Sequence, residues 1–378
     1  MKESNYFTKE YSVDTLIKGT KIETAICFLI DNSLDAAEKV INNRNNINIE
    51  IFLDENELII KDNCIGISLK DAQETLLKIG EKNSFADLYG QGLKKAILII
   101  GKKVNIKSFR SNEIININLD VFDNQEKDLW KPNFSYEYNS YNQKSGFSIK
   151  ITEFTNKMNR FVMANMKSDI FTKLKNRISY KYRYIIKSKA ITLKFNGENL
   201  EAKFVDADKV DENISIIDGM EVKVKLFKNI KDKDLNGIDF IVNDRCVIEK
   251  EKSKDIGWNL RIRKRGHSYI KFFGEVIIKT NDIEKLGINP SKNKINFTTI
   301  QLKKILDFMI EIIEKNRLAY KKSTISVQLE IESEQYSEWK EILSKQGFEC
   351  QCAKELIDHL YKLGVNKIKE NDSDFKDV

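Results

Sequence analysis

The chain has 378 residues, a net charge of +7 at pH 7 and 41% hydrophobic residues, which suits two or three domains with real cores. This charge permits a polyanionic partner such as nucleic acid without demanding one. No uncharged apolar run of about 18 residues occurs, and the N-terminus lacks the apolar region of a signal peptide. The five cysteines are scattered and odd in number, as is typical of reduced thiols. We therefore expect a cytoplasmic protein with no membrane segment.

The first part of the chain mixes helix and strand patterns. Apolar side chains recur at helical spacing over 20–43, and further helices are expected to begin near Ser68 and to span 93–101. Strand patterns lie at 47–53, 58–62, 103–109, 113–119 and 146–153. Because helices and strands do not alternate regularly, the pattern predicts an α+β fold with a largely antiparallel sheet rather than a doubly wound one.

The second part begins with a basic stretch at 156–189. Ile170, Leu174, Ile178 and Tyr182 recur every four residues, which predicts one amphipathic helix with a basic outer face. That face could contact nucleic acid or could simply be solvated. Strand patterns then return, followed by a long helix over 298–320 and a strictly alternating segment at 323–331. We predict three parts: 1–155, 156–322 and a small C-terminal α/β segment at 323–378.

Three segments of the first part carry chemistry when they are taken together: DNSLDA at 31–36, DNCIG at 62–66 and YGQGLKKA at 89–96. Taken singly, each is weak, since a glycine-rich loop before a helix is common. A glycine-flanked helix start presents N–H groups to anionic oxygens, and Lys94 and Lys95 would lie close to a phosphate. Asn32 offers an oxygen to Mg²⁺ that also holds phosphate. Asp62 can accept a hydrogen bond from an exocyclic amine, so the three segments together predict a nucleotide site.

In order and spacing these segments resemble the boxes of the GHKL superfamily, which includes gyrase, MutL, histidine kinases and the large heat-shock chaperone. The pattern is nearest to MORC-like and MutL-like proteins. GIDFIVNDRCVI and NPSKNKINF in the second part are similar to the transducer domain of those proteins. The resemblance covers roughly residues 15–320. It implies a GHKL (Bergerat) α/β sandwich with a mixed sheet, followed by an α+β transducer-like domain.

The resemblance also implies ATP and Mg²⁺ as ligands and assigns roles to single residues. Asn32 would hold Mg²⁺, Asp62 the adenine amino group, and Lys294 the γ-phosphate from the transducer-like part. The remaining residues expected to bind the nucleotide are Asp35, Gly66, Gly90, Gly92, Leu93, Lys94 and Lys95.

This chain departs from the family pattern at three positions. Phe28 stands one helical turn before Asn32, where hydrolytic members carry the glutamate that activates water. Cys64 replaces a usual glycine, and Phe147 replaces a usual threonine. We therefore expect an ATPase that is slow or inactive. If it does turn over, the candidate bases are Asp31, Asp35 and Glu81.

The resemblance further implies that ATP closes a lid and drives homodimerisation, coupled to duplex DNA and to defence against foreign DNA. A basic cluster would contact the DNA: Arg261, Arg263, Lys264 and Arg265. A rival interpretation is a non-hydrolytic ATP sensor that binds a protein partner through 323–378. A chaperone-like ATPase ranks third.

Overall fold

The computed structural model describes residues 17–42, 46–74, 91–110, 113–121, 133–138, 144–166, 171–231, 235–258, 262, 272–289 and 294–316. The predicted segment at 323–378 lies outside these ranges. Across the described residues, no helix combines the length and the apolar character that crossing a membrane requires.

The first layer of structure is an eight-stranded sheet with helices packed on it. Its helices are α1 (Ile22–Glu38), α2 (Leu69–Glu74) and α3 (Gln91–Ile100). Its strands are β1 (Ile47–Leu53), β2 (Glu57–Asp62), β3 (Gly101–Arg110), β4 (Glu113–Asp120), β5 (Asn133–Tyr138), β6 (Gly146–Phe154), β7 (Ile191–Phe195) and β8 (Glu198–Asn199). The strand order is β5-β4-β3-β6-β2-β1-β7-β8.

The pairing of β1 shows why this sheet is mixed. Strand β1 runs antiparallel to β2 and parallel to β7, whereas the other pairs are antiparallel. Its residues alternate between the core and the opposite face, with Ile47, Ile49 and Ile51 buried. Helices α1 and α3 pack together above this core. The first core continues past residue 155 as far as Leu200.

The basic stretch forms three helices instead of the one expected from its pattern: α4 (Asn156–Met166), α5 (Phe171–Lys181) and α6 (Arg183–Ser188). Leu174, Ile178 and Tyr182 are buried as predicted. Lys181 and Arg183, which the pattern assigned to a basic outer face, are also buried. Here the expectation was wrong, because both cations have acidic neighbours from distant parts of the chain.

A second, five-stranded sheet follows in the order β12-β11-β13-β10-β9. Its strands are β9 (Asp208–Ile217), β10 (Met220–Lys228), β11 (Gly237–Val242), β12 (Arg245–Glu251) and β13 (Phe272–Lys279). Helix α7 (Ile300–Lys315) begins after Thr299, whose hydroxyl caps Leu302 N–H, and buries one apolar face on this sheet. Both sheets are mixed and carry helices, so the α+β class is confirmed.

Candidate functional site

The carboxylate of Asp62 lies where β2 ends. Its Oδ1 accepts the Cys64 N–H at 2.9 Å, while Oδ2 is shielded from solvent and has no hydrogen-bond partner among the described residues. Burial raises the pKa of Asp62, and the Ser33 hydroxyl and the Cys64 and Phe147 backbone partly offset this rise. An unpaired buried acceptor is costly, so Oδ2 marks a place where a ligand donor is missing.

The loop after β2 passes very close to its neighbours at Gly66. This residue has a φ of +70°, and an added Cβ would lie 2.5 Å from the Phe109 carbonyl oxygen and 2.8 Å from the Ser108 hydroxyl. Ser108 is buried, accepts the Ile67 N–H at 2.7 Å and donates to the Ile67 carbonyl at 3.1 Å. Ser108 therefore fixes the loop against β3, and glycine is required at position 66.

Helix α1 is tied to the end of β2 next to Asn32. The Cys64 thiol donates to the Ser33 carbonyl at 3.8 Å, which is a weak contact typical of sulfur. Asn32 precedes Ser33 on this helix and is itself partly buried. The structure thus brings the segment of Asn32 beside Asp62 and Gly66, as the sequence predicted. Ser33 and Ser108 were not among the predicted residues, since isolated serines carry no signal in the sequence.

Phe28 lies one turn before Asn32 on α1. Its side chain is 4% exposed and belongs to the first core. A phenyl ring cannot accept a proton, and this one also excludes water from its surroundings. Phe147, another departure from the family pattern, stands opposite Asp62 in the pairing of β2 with β6. Two of the three unusual residues, Cys64 and Phe147, therefore flank Asp62 directly.

Helix α3 starts at Gln91 and carries the predicted phosphate residues in its first turn. Gly92, Leu93 and Lys94 are buried there, and Lys95 is partly buried. Gly90, Glu81 and the basic cluster at 261 and 263–265 lie outside the described residues. The phosphate-binding roles of this turn remain predictions.

Asp35 belongs to a different environment from Asp62. It forms an ion pair with Arg245 of β12 and is buried, as is Asp31, whose carboxylate lies 3.9 Å from the same guanidinium. This places both acids on the side of α1 that meets the second sheet. Their predicted parts in binding or in base catalysis remain predictions.

Lys294 lies in a turn between the second sheet and α7. Its N–H donates to the Asn289 side chain at 2.9 Å, and its carbonyl accepts the Asn289 N–H at 2.9 Å. The side chain is exposed. A lysine fixed by its backbone with an exposed side chain is available to contact a ligand, and its role at the γ-phosphate remains a prediction.

The residues present fit an adenine nucleotide with Mg²⁺. The orphaned Oδ2 of Asp62 matches an amino donor, Gly66 keeps the loop after β2 packed against β3, and Asn32 offers a neutral oxygen to a metal ion. Such a ligand would bring phosphate chemistry to the start of α3. The fold and this arrangement are those expected of an ATP-binding domain of the GHKL type.

Comparison with known families supports that class. Residues 20–148 match the family model of histidine kinase-, DNA gyrase B- and HSP90-like ATPases. The matched region runs from the start of α1 into β6 and contains Asn32, Asp62, Gly66 and the first turn of α3. A search of curated proteins finds no match.

Proposed function

We propose that this protein is an ATP-dependent switch in which ATP with Mg²⁺ closes a lid and joins two copies of the chain. The observation that carries the proposal is the unpaired, buried Oδ2 of Asp62 beside Gly66. A ligand that binds one of two conformations shifts the population toward it. In the proposed switch Asn32 holds the metal ion and Lys294 contacts the γ-phosphate, so that domain position follows nucleotide state.

We propose further that hydrolysis is very slow or absent. The support is Phe28, which occupies the position of the usual general base and is packed into the core. General-base help typically contributes about 10²–10⁴-fold to a rate. ATP then acts mainly as a structural ligand that holds the closed dimer.

Phosphate release by the wild-type chain and by Phe28→Glu tests this proposal. We expect wild-type turnover well below about 1 s⁻¹ and a higher rate in Phe28→Glu. Phe28→Gln is the matched control, because it places an equally polar group in the same buried position and cannot act as a base. Thermal melts should show that both variants fold. Wild-type turnover of about 1 s⁻¹ or more would contradict the proposal and point to Asp31, Asp35 or Glu81 as the base.

The proposed partner is duplex DNA, as in a MORC-like protein with a role in defence. The net charge of +7 and the cluster formed by Arg261, Arg263, Lys264 and Arg265 support this partner. Reversal of the three arginines to glutamate should weaken duplex binding and flatten its salt dependence by about 0.9 per lost phosphate contact. An unchanged slope would remove the cluster from the interface.

The effect of duplex DNA on turnover also distinguishes this proposal from the ATP-sensor alternative, which the presence of Phe28 supports equally. Stimulated turnover in the presence of duplex favours a DNA-coupled ATPase. ATP binding and dimerisation without any effect of DNA favour a non-hydrolytic module that binds a protein partner through 323–378. Light scattering with and without ATP reports dimerisation in either case.

A further inference from the structure

A polar network that is buried except at Glu38 connects α1 to the second sheet, on the side of α1 that carries Asp31, Asp35 and Glu38. These acids recur at spacings of four and three residues, so they form one stripe along the helix. Each lies within 4 Å of the guanidinium of Arg245. We call these four residues, together with Lys181 and Tyr182, the joint.

Arg245 is held rigidly at the start of β12. It follows a tight turn in which Asn243 and Asp244 both have positive φ, and it pairs with Val242 across that turn. Its side chain is 8% exposed, Nη2 lies 2.7 Å from Glu38, and Nη1 contacts Asp35 and lies 3.9 Å from Asp31. Burial lowers the pKa of Arg245, but the three carboxylates outweigh burial and the net pKa is raised. The guanidinium therefore stays charged.

Tyr182, which lies between α5 and α6, completes the joint. The Tyr182 hydroxyl donates to the Asp31 carboxylate at 3.0 Å and lies 3.1 Å from the Cys27 carbonyl oxygen. Burial lowers the pKa of Lys181, and the neighbouring Asp31 carboxylate helps to raise it above the ordinary value. Arg183, which follows Tyr182, pairs instead with Asp239 and Glu275 of the second sheet. Residues 181–183 therefore contact both α1 and the second sheet.

The joint bears on the nucleotide site because Asn32 follows Asp31 directly. In a regular helix, neighbouring residues move together, so any shift of the Asp31–Arg245 contact moves the turn that carries Asn32. The Nε of Arg245 is buried without a hydrogen-bond partner among the described residues. Its contacts are therefore incomplete in this state, which leaves room for a second arrangement of the joint.

We propose that Arg245 is a positioning residue that couples metal-dependent ATP binding at Asn32 to the second sheet through its ion pairs with Asp31, Asp35 and Glu38. The proposal rests on the proposed function, because it assigns regulation to the same site. It concerns the contacts of Arg245 with α1 and is separate from the role proposed for Lys294.

The experiment compares ATP affinity with and without Mg²⁺, by calorimetry, for the wild-type chain, Arg245→Lys and Arg245→Gln. Arg245→Lys keeps the charge but cannot reach three carboxylates at once, and it covers the case in which Arg245→Gln fails to fold. Lys279→Gln is the matched control, since it removes an exposed cation that pairs with Asp244 on the same hairpin. Hydrogen exchange of α1 and β12 without nucleotide is measured in parallel.

We expect the gain in affinity from Mg²⁺ to fall at least about fivefold in both Arg245 variants, the lower end of typical coupling between sites. ATP affinity without Mg²⁺ and the behaviour of Lys279→Gln should be unchanged. In an Asn32→Ala background, Arg245→Lys should have no further effect, because the coupled ligand is gone.

Two results would overturn the proposal while leaving ATP binding intact: a wild-type Mg²⁺ gain in Arg245→Lys, or equal losses with and without Mg²⁺, which would indicate a structural role only. Absence of ATP binding in the wild-type chain would instead reject the proposed function. In that case hydrogen exchange would still show whether Arg245 restrains α1. Unchanged exchange in both Arg245 variants would reject the proposed role of the joint as well.

Discussion

The buried Asp35 and the partly buried Asp62, 27 residues apart in the chain, lie in opposite situations. Asp35 has its partner, the Arg245 guanidinium. Asp62 has an oxygen that water does not reach and that no described residue pairs with. Burial raises the pKa of Asp62, whereas Asp35 belongs to an ion-paired joint. The contrast separates a carboxylate that holds the protein together from one that is available to a ligand.

The same distinction applies to whole regions. Between α6 and the second sheet, Arg183 pairs with Asp239 at 2.8 Å and with Glu275 at 2.7 Å, and all three are buried. Around Asp62, close backbone packing at Gly66 and an unsatisfied acceptor take the place of ion pairs. Pairing offsets the burial of charge in the first region, whereas Oδ2 of Asp62 in the second has no partner among the described residues.

The largest expected effect comes from breaking a completed pair. Arg183→Gln leaves Asp239 and Glu275 buried without their cation and should cost about 3–5 kcal/mol of unfolding free energy. Lys304→Gln is the control, because it removes an exposed cation that lies 2.7 Å from Asp218 and should cost about 0–1 kcal/mol. Urea denaturation measures both. Equal small losses would show that the buried Arg183 pairs contribute no more than a surface pair.

Gly66→Ala tests the close packing of the ligand region. The new methyl group would meet the Phe109 carbonyl oxygen at a φ of +70°, so we expect strain from the backbone, about 1–2 kcal/mol, and from the clash, about 1–3 kcal/mol. Gly219→Ala isolates the backbone part, because Gly219 has a φ of +80° with no atom within 4 Å of an added Cβ. Thermal unfolding of both variants gives the difference. If the two melt alike, the clash at Gly66 is relieved without cost.

Asp62→Asn separates binding from stability. The amide cannot accept from an amino donor with the strength of a carboxylate, so ATP affinity should fall about ten- to hundredfold, equivalent to about 1.5–3 kcal/mol. Stability should not fall, because the change removes a charge that burial disfavours. Asp35→Asn should show the opposite order, with stability lost because Arg245 loses one of its three carboxylate neighbours. Wild-type ATP affinity in Asp62→Asn would place the adenine elsewhere.

The smallest effect is the pH dependence that follows from the raised pKa of Asp62. An acid whose folded pKa lies above its unfolded value costs stability above the folded pKa, and this cost is relieved as pH falls through that pKa. The free energy of unfolding of the wild-type chain should therefore gain on that of Asp62→Asn as the solution is acidified. ATP affinity should fall over the same range, because the protonated carboxyl is a poorer acceptor. A difference between the two proteins that stays flat with pH would contradict the raised pKa.

Much of the fold followed from local patterns. The predicted strands at 47–53 and 146–153 agree with β1 and β6 to within one residue, and Ser68 caps α2 through the Asp71 N–H. Strand β9 escaped prediction because it is the edge of its sheet, and its polar sequence, DKVDENISII, lacks a buried face that would alternate clearly. The predicted domain boundaries stay predictions, although the first core extends to Leu200.

The candidate site could likewise be predicted in part from local sequence patterns. Asn32, Asp62 and Gly66 stand in short motifs whose spacing carries their meaning, and the structure brings those motifs together. The surroundings of Asp35 could not be predicted from its motif, since its partner Arg245 lies more than 200 residues further along the chain. No sequence pattern singled out Ser33 and Ser108, which contact the loop after β2.

The sequence by itself determined the α+β class, the nucleotide motifs and the absence of a base at position 28, because these depend on residue type and on spacing over a few turns. Only the tertiary structure decided which charged side chains form internal ion pairs. Lys181, Arg183 and Arg245 look like surface cations in the sequence, yet all three are buried. The physical reason is that a charge can leave water only where opposite charges meet it, and here those charges come from strands and helices that folding brings together from distant parts of the chain.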